Sequence, residues 1–478
     1  MRSPLPVLSL LALLVVRGAW ATAQDATQAA PATGEAPAPA PSGAQTIRLS
    51  IAEAEGLAQK NSDEVRARAA ALDAALGAVN VARASFYPKV SASASGAYLV
   101  NPPAGMTLAK GAFGTTTIPN LGSFETPPED VVVVPEAADT YVKGNITFTQ
   151  PIVAWGKIRA AVDIAAFEAQ ASLAVRDGAK RDAAREANRA YYSAKLARDS
   201  APILNELRDL ATAIVADRQA SLDEGLGTRE RLLSAEADLA AIEDQIVQAR
   251  EGAQSALESL AALTGLGEGA AIDTVSDFRS RLPDIDEERL KTAATSSSAE
   301  WQSSGARFRE ASRAVDLERG SSVLLPDLAF FASLDASGPR SGWTNSWTWD
   351  LSLGLSLSVD LFDAGASAAK IEEARSRRDA AAAALRGAET SARLSARRAV
   401  QAAREAEAAL RKSEAHALWT AEVLKNARSS AENQLASRQE LNSAAIQDAA
   451  ARLDLLSARY AFEEALADLD RLAQGELK

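Results

Sequence analysis

Residues Trp347 to Leu361 alternate strictly between large apolar side chains and polar or small ones. The apolar positions are Trp347, Trp349, Leu351, Leu353, Leu355, Leu357, Val359 and Leu361. Because successive side chains of a strand point to opposite faces, the segment predicts a strand with one apolar and one polar face. Trp343 joins Trp347 and Trp349 at one end, and tryptophans of this kind collect at membrane interfaces. The pattern is typical of a strand in an outer-membrane barrel, with lipid on one face and water on the other.

Three further segments show the same alternation, and we predict them to be strands: Lys89–Val100, Tyr141–Gln150, which Pro151 ends, and Asp327–Leu334. We expect Asn101–Asp139 to be a long exposed loop and Asp335–Asn345 to be a second, shorter one. Small closed barrels need about eight strands or more, so four strands would leave open edges. Several chains must therefore contribute, and three chains would supply twelve strands.

The rest of the chain is dominated by alanine-rich segments that predict helices. These are Leu49–Tyr87, with Ser50 as its N-cap, Lys157–Gln219, Arg229–Leu263, Glu287–Arg319, and the chain from Ala366 to its end. The segment Lys157–Gln219 would extend about 95 Å, and two of the shorter helices stacked end to end would match it. Helices of this length must bury their seams against other long helices.

The order of helix, strand pair and helical hairpin occurs twice. The pairs Gly156 and Gly365, Gly178 and Gly387, Leu226 and Leu435, Ala235 and Ala444, and Leu260 and Leu469 are each 209 positions apart. This constant offset indicates an internal duplication, with the difference in length placed in the first strand–strand loop. We divide the chain into a first repeat at 46–268, a connector at 269–286 and a second repeat at 287–478.

The beginning of the chain predicts a secretory signal peptide at 1–23. Arg2 supplies positive charge, Val7–Val16 is a short apolar core, and Ala21-Thr22-Ala23 is a small-residue cleavage site. Residues 24–45, rich in alanine and proline, predict a flexible segment. No apolar run of about 18 residues follows, so any membrane crossing has to be made by strands.

Composition and candidate chemistry narrow the function. The net charge of −12 argues against nucleic acid as a partner, because phosphates bind basic surfaces. His416 is the only histidine and lies within a predicted helix. An isolated imidazole predicts neither catalysis nor metal binding. We therefore expect no enzyme activity, no cofactor and no metal.

Several short motifs recur in the same order in both halves. Before a strand stand Phe86-Tyr87-Pro88-Lys89-Val90 and Leu325-Pro326-Asp327-Leu328. After a strand stand Gln150-Pro151-Ile152-Val153-Ala154-Trp155-Gly156 and Asp360-Leu361-Phe362-Asp363-Ala364-Gly365. The helix turns are Gly225-Leu226-Gly227-Thr228-Arg229 and Gln434-Leu435-Ala436-Ser437-Arg438. Together these motifs resemble the TolC-like outer membrane factors, or outer membrane efflux proteins, over about Leu49–Leu472.

The resemblance implies an α+β membrane protein of the cell outer membrane that extends into the periplasm. Long α-helical hairpins would form a periplasmic α-barrel. Four β-strands per chain would contribute to a trimeric twelve-stranded β-barrel in contact with outer-membrane lipid. The homotrimer would be a passive channel of a tripartite efflux or type I secretion system. Its helix turns would form a closed periplasmic tip that meets a periplasmic adaptor (membrane fusion) protein joined to an inner-membrane transporter.

The resemblance also implies site residues. The candidates for adaptor contact are Leu226, Gly227, Thr228, Leu435, Ala436 and Ser437, with ordinary helix-turn chemistry as the alternative. The family's acidic constriction falls on Glu440 and on Ser443, where this chain departs from the acidic pattern. For Glu440 the alternative is a solvated helix position. Trp343, Trp347 and Trp349 are the candidates for the membrane interface.

A periplasmic coiled-coil scaffold without a pore is the alternative function. The alternating strands and clustered tryptophans favour the channel, because a scaffold needs no lipid-facing surface. An enzyme or receptor with a binding site in the lumen would need a constellation of reactive or ligand-binding residues, and the sequence shows none.

Overall fold

The computed structural model of the chain describes residues 47–101, 104–134, 140–267, 270–322, 326–338, 347–359 and 361–473. The predicted signal peptide at 1–23, the predicted flexible segment at 24–45 and the candidate interface residue Trp343 lie outside these ranges.

Strands and helices alternate along the described chain much as the sequence pattern predicts. The strands are β1 (Ile47–Leu49), β2 (Lys89–Tyr98), β3 (Met106–Leu108), β4 (Thr115–Ile118), β5 (Gly122–Glu125), β6 (Val131–Val134), β7 (Thr140–Val153), β8 (Ile272–Thr274), β9 (Asp327–Gly338) and β10 (Thr348–Ser358). The helices are α1 (Ile51–Asn61), α2 (Asp63–Ala84), α3 (Lys157–Asp223), α4 (Arg229–Thr264), α5 (Glu287–Ser297), α6 (Ala299–Ser322), α7 (Ala366–Glu432) and α8 (Arg438–Ala473).

The two halves of the chain contain helices of matching length. Helices α3 and α7 have 67 residues each, or about 100 Å, and α4 and α8 have 36 residues each. Helices α7 and α8 each begin 209 positions after their counterparts α3 and α4. The same backbone turn precedes both long helices, because Trp155, Gly156, Ala364 and Gly365 all have positive φ. Glycine adopts this left-handed conformation without steric cost.

Two of the predicted helices are interrupted, so the prediction of single helices over Leu49–Tyr87 and Glu287–Arg319 is wrong. Ser62, with φ −55° and ψ 131°, separates α1 from α2. Ser298, with φ −60° and ψ 117°, separates α5 from α6. In both cases the ψ value is extended, which no residue inside an α-helix can adopt.

Tertiary hydrogen bonds hold both interruptions. The Asn61 side-chain amide donates to the carbonyl of Thr264 at 2.7 Å, at the end of α4. The Arg181 guanidinium, on α3, donates to the carbonyl of Ser297 at 2.6 Å. These partners are distant along the chain, so helix propensity carries no signal for the interruptions.

One open antiparallel sheet has the strand order β10-β9-β7-β2. Strand β7 does not end at Pro151 as predicted but continues to Val153. Pro151 pairs with β9, whereas pairing with β2 stops at Thr149. Because proline lacks an N–H, it is tolerated where one neighbouring strand is absent. Strand β9 continues to Gly338, which shortens the loop predicted at Asp335–Asn345.

The segment Asn101–Asp139, predicted as one long exposed loop, is largely exposed where the structure describes it but contains four short strands. Strand β3 pairs with β6, and β4 pairs with β5, both antiparallel. Lys110 supports this outer segment, since its ammonium lies 3.0 Å from the Glu125 carboxylate and its amide donates to Asp130 at 2.7 Å. The pairing of β3 with β6 closes a loop of more than twenty residues, which local turn signals do not reveal.

A small parallel pair, β1 with β8, lies beside the middle of α3. The buried Tyr191 hydroxyl donates to the Leu49 carbonyl at 2.9 Å and accepts from the Ser276 amide at 2.7 Å. The segment predicted as a plain connector, 269–286, therefore contributes a strand and joins the packed core.

Alanines line the seams between the long helices. Helix α3 packs against α2, α4, α6 and α8, and α7 packs against α5, α6 and α8. The buried alanines of α3 are Ala160, Ala169, Ala171, Ala174, Ala179, Ala183, Ala187, Ala190, Ala194 and Ala211. Their small side chains allow close approach of the helix axes. Among the described residues, no helix is both long and apolar enough to cross a membrane.

Candidate functional site

The outer face of the four-stranded sheet is apolar and open to its surroundings. On β10, Leu351, Leu353, Leu355 and Leu357 are all exposed, and Leu355 has 63% of its surface accessible. Soluble proteins rarely leave a contiguous apolar surface of this kind uncovered. The face predicted from the alternation is therefore present as a continuous apolar surface.

The opposite face of the same sheet carries a hydrogen-bonded polar network. The Asn145 side-chain amide donates to the Ser333 hydroxyl at 2.9 Å and to the Asp335 carboxylate at 2.7 Å. The Thr147 hydroxyl donates to the Asn145 side-chain oxygen at 2.6 Å, and Ser333 donates to Asp335 at 2.7 Å. The sheet thus has one apolar face and one polar face.

Trp347 and Trp349 lie at the end of this sheet and are largely exposed. The indole of Trp347 lies against Gly338, with its Cδ2 atom 3.0 Å from the point where a Cβ on that glycine would stand. A role of the two tryptophans at a membrane interface stays a prediction.

The corner where each strand pair passes into a long helix is fixed by side chains. The Trp155 indole N–H donates to the Pro326 carbonyl at 2.9 Å. At the second corner Asp363 accepts from the amides of Gly365 at 3.0 Å and Ser367 at 2.7 Å. Hydrogen bonds from the Ser367 hydroxyl and from these amides hold the pKa of Asp363 below its ordinary value. A carboxylate at a helix N-terminus is also favoured by the helix dipole.

The two helix turns have the same design in both repeats. Gly225 and Gln434 have positive φ, and the amides of the next two residues return to one carbonyl, that of Ser221 or Ser430. Leu226 and Leu435 then project into solvent with 81% and 83% of their surface exposed. The other candidate turn residues are Gly227 and Thr228, and Ala436 and Ser437. Both turns therefore present one large apolar side chain at the end of a hairpin.

Thr228 and Ser437 have structural roles, because each caps the helix that follows. The Thr228 hydroxyl accepts from the Arg231 amide at 3.4 Å, and the Ser437 hydroxyl accepts from the Glu440 amide at 3.2 Å. Gly227 is restricted too, since an added Cβ would stand 3.1 Å from the Leu222 nitrogen. The turn residues thus combine helix capping with an exposed leucine, and adaptor contact stays a prediction.

Glu440, the candidate gate residue, completes the cap of α8. Its carboxylate accepts from the Ser437 amide at 2.8 Å while its own amide donates to the Ser437 hydroxyl. This reciprocal pair is a capping box. Ser443 lies exposed one turn further along α8. The Ser-x-x-Glu spacing of Ser437 and Glu440 indicates this capping role, which neither a gate residue nor a solvated helix position predicts.

The two hairpins are joined near their turns. The Arg438 guanidinium lies 3.2 Å from the Asp217 carboxylate of α3. Leu210 of α3 packs against a cluster formed by Leu424, Ala444 and Ala445. The two turns therefore belong to one end of the helical bundle, here called the tip.

A buried ionic cluster in the connector is the feature that sequence reasoning missed. Glu463 of α8 is fully buried, and it accepts from the backbone amide of Arg279 and, at 2.9 Å, from its guanidinium. The same guanidinium donates to Asp470 at 2.9 Å. Burial opposes the charge of Arg279, but the two carboxylates outweigh it and raise the pKa of the guanidinium. The sequence does not predict this cluster, because no local pattern relates an arginine of the connector to a carboxylate of α8.

Within the described ranges, no group of three potential metal-ligating side chains lies together. His416 is exposed on α7 and stacks on Trp419, with ring centroids 5.7 Å apart.

Solved structures share this architecture. The chain is similar to the CmeC outer membrane channel of Campylobacter jejuni, with a TM-score of 0.69 and 17% identity over 90% of this chain and 86% of that one. It is also similar to the outer membrane protein VceC of Vibrio cholerae (TM-score 0.65, 18% identity, 88% and 96% of the two chains). A third similar structure is the open state of the MtrE outer membrane channel of Neisseria gonorrhoeae (0.62, 16%, 90% and 89%).

The family model described as Outer membrane efflux protein matches residues 56–266, nearly the whole first repeat. The first repeat of the chain is therefore similar to outer membrane efflux proteins. No curated protein matches it in sequence. Outer membrane efflux proteins are passive channels and not enzymes.

Proposed function

We propose that this protein forms a homotrimeric, passive duct with a twelve-stranded outer-membrane β-barrel and a periplasmic α-barrel. The observation that carries the proposal is the open four-stranded sheet, which has an apolar face and two unpaired edge strands, β2 and β10. Strands β7 and β10 of this sheet lead into α3 and α7, which are each about 100 Å long. Open edges facing lipid leave backbone groups without hydrogen bonds. Three copies joined edge to edge would close the sheet and satisfy those groups.

The duct would be the outer-membrane component of a tripartite efflux system, or of a type I secretion system. A periplasmic adaptor protein would bind the tip, and an inner-membrane transporter would deliver the cargo. Leu226 and Leu435 support this, because both are largely exposed at the tip and burying each against a partner would be favourable. The adaptor surface would include the neighbouring Gly227, Thr228, Ala436 and Ser437.

The closed end of the duct would be the tip, with three copies of Glu440 around the pore and Ser443 one turn away. Carboxylates brought close together repel one another unless they are screened or paired. Such a ring would favour the passage of cations. Trp347 and Trp349, together with Trp343, would anchor the barrel at the membrane interface.

The proposal is tested by purifying the protein from outer membranes in detergent and measuring its mass by light scattering and its conductance in planar bilayers. We expect a trimer that produces discrete conductance steps. Leu226→Asp and Leu435→Asp should abolish export in cells while leaving the conductance of the purified trimer unchanged. A monomer recovered from the periplasm without detergent would contradict the channel and support a scaffold.

A further inference from the structure

The polar face of the four-stranded sheet carries one large apolar side chain, that of Phe331 on β9. Phe331 stands two residues before Ser333 and four before Asp335, which belong to the polar network, so all three side chains point to the same face. The preceding residue, Phe330, lies on the apolar face, where its ring and that of Phe148 have centroids 6.0 Å apart. Among the side chains that the structure describes on the polar face of this sheet, that of Phe331 is the only aromatic one.

A glycine on the neighbouring strand makes room for the Phe331 ring. Gly354 of β10 pairs directly with Phe331, and a Cβ added to this glycine would stand 2.7 Å from Cζ of the ring. The end of the ring therefore lies over Gly354, where any larger residue would collide with it. An aromatic side chain that covers a glycine across the strands stabilises the pairing. The contact holds the ring at the sheet but leaves it only partly buried, so part of the ring stays open on the polar side.

The charged groups of the polar face do not favour cargo of one sign. Asp327, at the start of β9, is paired with a lysine of α3. Further along the sheet, Asp335 and Asp350 lie opposite each other on β9 and β10. Lys89 of β2 and Lys143 of β7 are on the same face, so two ammonium groups match these two carboxylates. The aromatic ring of β9, and not the net charge, is therefore what distinguishes this face from a plain hydroxylated wall.

We propose that Phe331 is a contact site for cargo that carries an aromatic ring, whatever the charge of that cargo. The proposal rests on the proposed trimeric duct, in which three copies of Phe331 would lie at one height on the lumen wall of the barrel. An aromatic group passing along the wall would stack on the ring or meet it edge to face. Gly354 would hold the ring in position for that contact. The duct would therefore retain aromatic cargo longer than aliphatic cargo of the same charge.

Fluorine NMR tests the contact at the ring itself. Phe331→4-fluorophenylalanine is made in the full-length chain, the protein is purified in a non-ionic detergent, and benzyltrimethylammonium is added. We expect a saturable shift of the fluorine resonance, and a similar one with benzenesulfonate, which has a ring and the opposite charge. Tetramethylammonium, which has the charge but no ring, should give no shift. The proposal is overturned if neither aromatic ion gives a saturable shift, if only one of them does, or if tetramethylammonium acts equally.

The adjacent ring provides a matched control, because Phe330 lies on the apolar face. The resonance of Phe330→4-fluorophenylalanine should respond to none of the three ions. A water-soluble gadolinium chelate should broaden the fluorine resonance at residue 331 and leave the one at residue 330 sharp.

These readings separate this inference from the proposed function. If the protein is a trimer and the chelate broadens residue 331, but no aromatic ion shifts its resonance, the aromatic contact is wrong while the duct stands. If the chelate broadens residue 330 instead, the polar face is not the lumen face, and both proposals fail.

A substitution distinguishes a contact with cargo from a purely structural role. Phe331→Leu keeps an apolar side chain beside Gly354 but removes the ring. We expect it to form trimers and to bind benzyltrimethylammonium about two- to tenfold more weakly, as measured by saturation-transfer NMR. The control Ser352→Ala, on the same face two residues from Gly354, should bind as the wild type does. If Phe331→Leu trimers bind like the wild type, or if Ser352→Ala weakens binding equally, Phe331 only covers the glycine and the proposal fails.

Discussion

The Glu440 carboxylate has a structural contact that competes with its proposed role as a gate. It accepts from the Ser437 amide at 2.8 Å, and Glu440→Ala removes both this bond and the charge. Glu440→Gln keeps an oxygen that can accept the same bond. If the three carboxylates set ion selectivity, both variants should lower the preference for cations in planar bilayers by a similar amount. If Glu440→Gln has the ion selectivity of the wild type while Glu440→Ala does not, helix capping is the only role of Glu440.

Asp363 should make the second strand–helix corner sensitive to acid. Its pKa is lowered in the folded chain by hydrogen bonds to Ser367 and Gly365. Its stabilisation is therefore present above the ordinary carboxyl pKa of about 4 and is lost as the pH falls through the lowered value. We expect cleavage by pepsin near the start of α7 to increase below about pH 4. This increase should be smaller in Asp363→Asn than in the wild type or in the control Asp379→Asn, which alters an exposed ion pair in mid-helix.

At the scale of the element, successive side chains of β10 alternate between the apolar and the polar face of the sheet. Leu355 lies on the apolar face and Ser356 on the polar one. We expect Leu355→Arg to block trimer assembly, because arginine facing lipid near the midplane costs about 2–4 kcal/mol. Ser356→Arg should assemble, since its side chain points into water. Heat-resistant trimer in outer membranes measures the difference, and equal assembly of the two variants would reverse the assigned faces.

The connector depends on one buried carboxylate of α8. Glu463→Ala removes one of the two carboxylates that bind the Arg279 guanidinium. Because the Arg279 side chain is 37% exposed and keeps Asp470, the loss should be about 1.5–3 kcal/mol. We expect trypsin to cleave the connector after Arg279 or Arg281 in this variant and not in the wild type. Glu464→Ala is the control, because its pair with Arg189 is partly exposed and should contribute at most about 1 kcal/mol. Equal protection of both variants would show that the connector is held by its other contacts.

At the scale of the whole molecule, the outer segment and the tip should lie on opposite sides of the membrane. Ala112 is exposed beside β4, and Leu226 is exposed at the tip. A membrane-impermeant maleimide on intact cells should label Ala112→Cys and not Leu226→Cys. After the cells are permeabilised, both should react. Labelling of only Leu226→Cys on intact cells would invert the orientation.

Part of the candidate site could be predicted from the sequence, and part could not. The apolar face of β10 and the matching turns at Leu226 and Leu435 follow from local alternation and from a repeated motif. The capping role of Glu440 was missed, although its spacing from Ser437 signals it. The ionic cluster of Arg279 and Glu463 could not be predicted, because its members are 184 positions apart and neither belongs to a periodic pattern.

The amino-acid sequence by itself determined the type and order of the main strands and helices, the two faces of β10 and the constant offset of 209 positions. Those features depend on side-chain periodicity, which each segment carries locally. Only the tertiary structure decided that helices are interrupted at Ser62 and Ser298, that β3 pairs with β6, and that β7 continues beyond Pro151. Each of these depends on a hydrogen bond or strand pairing between distant segments, whose free energy exists only after the chain has brought the partners together.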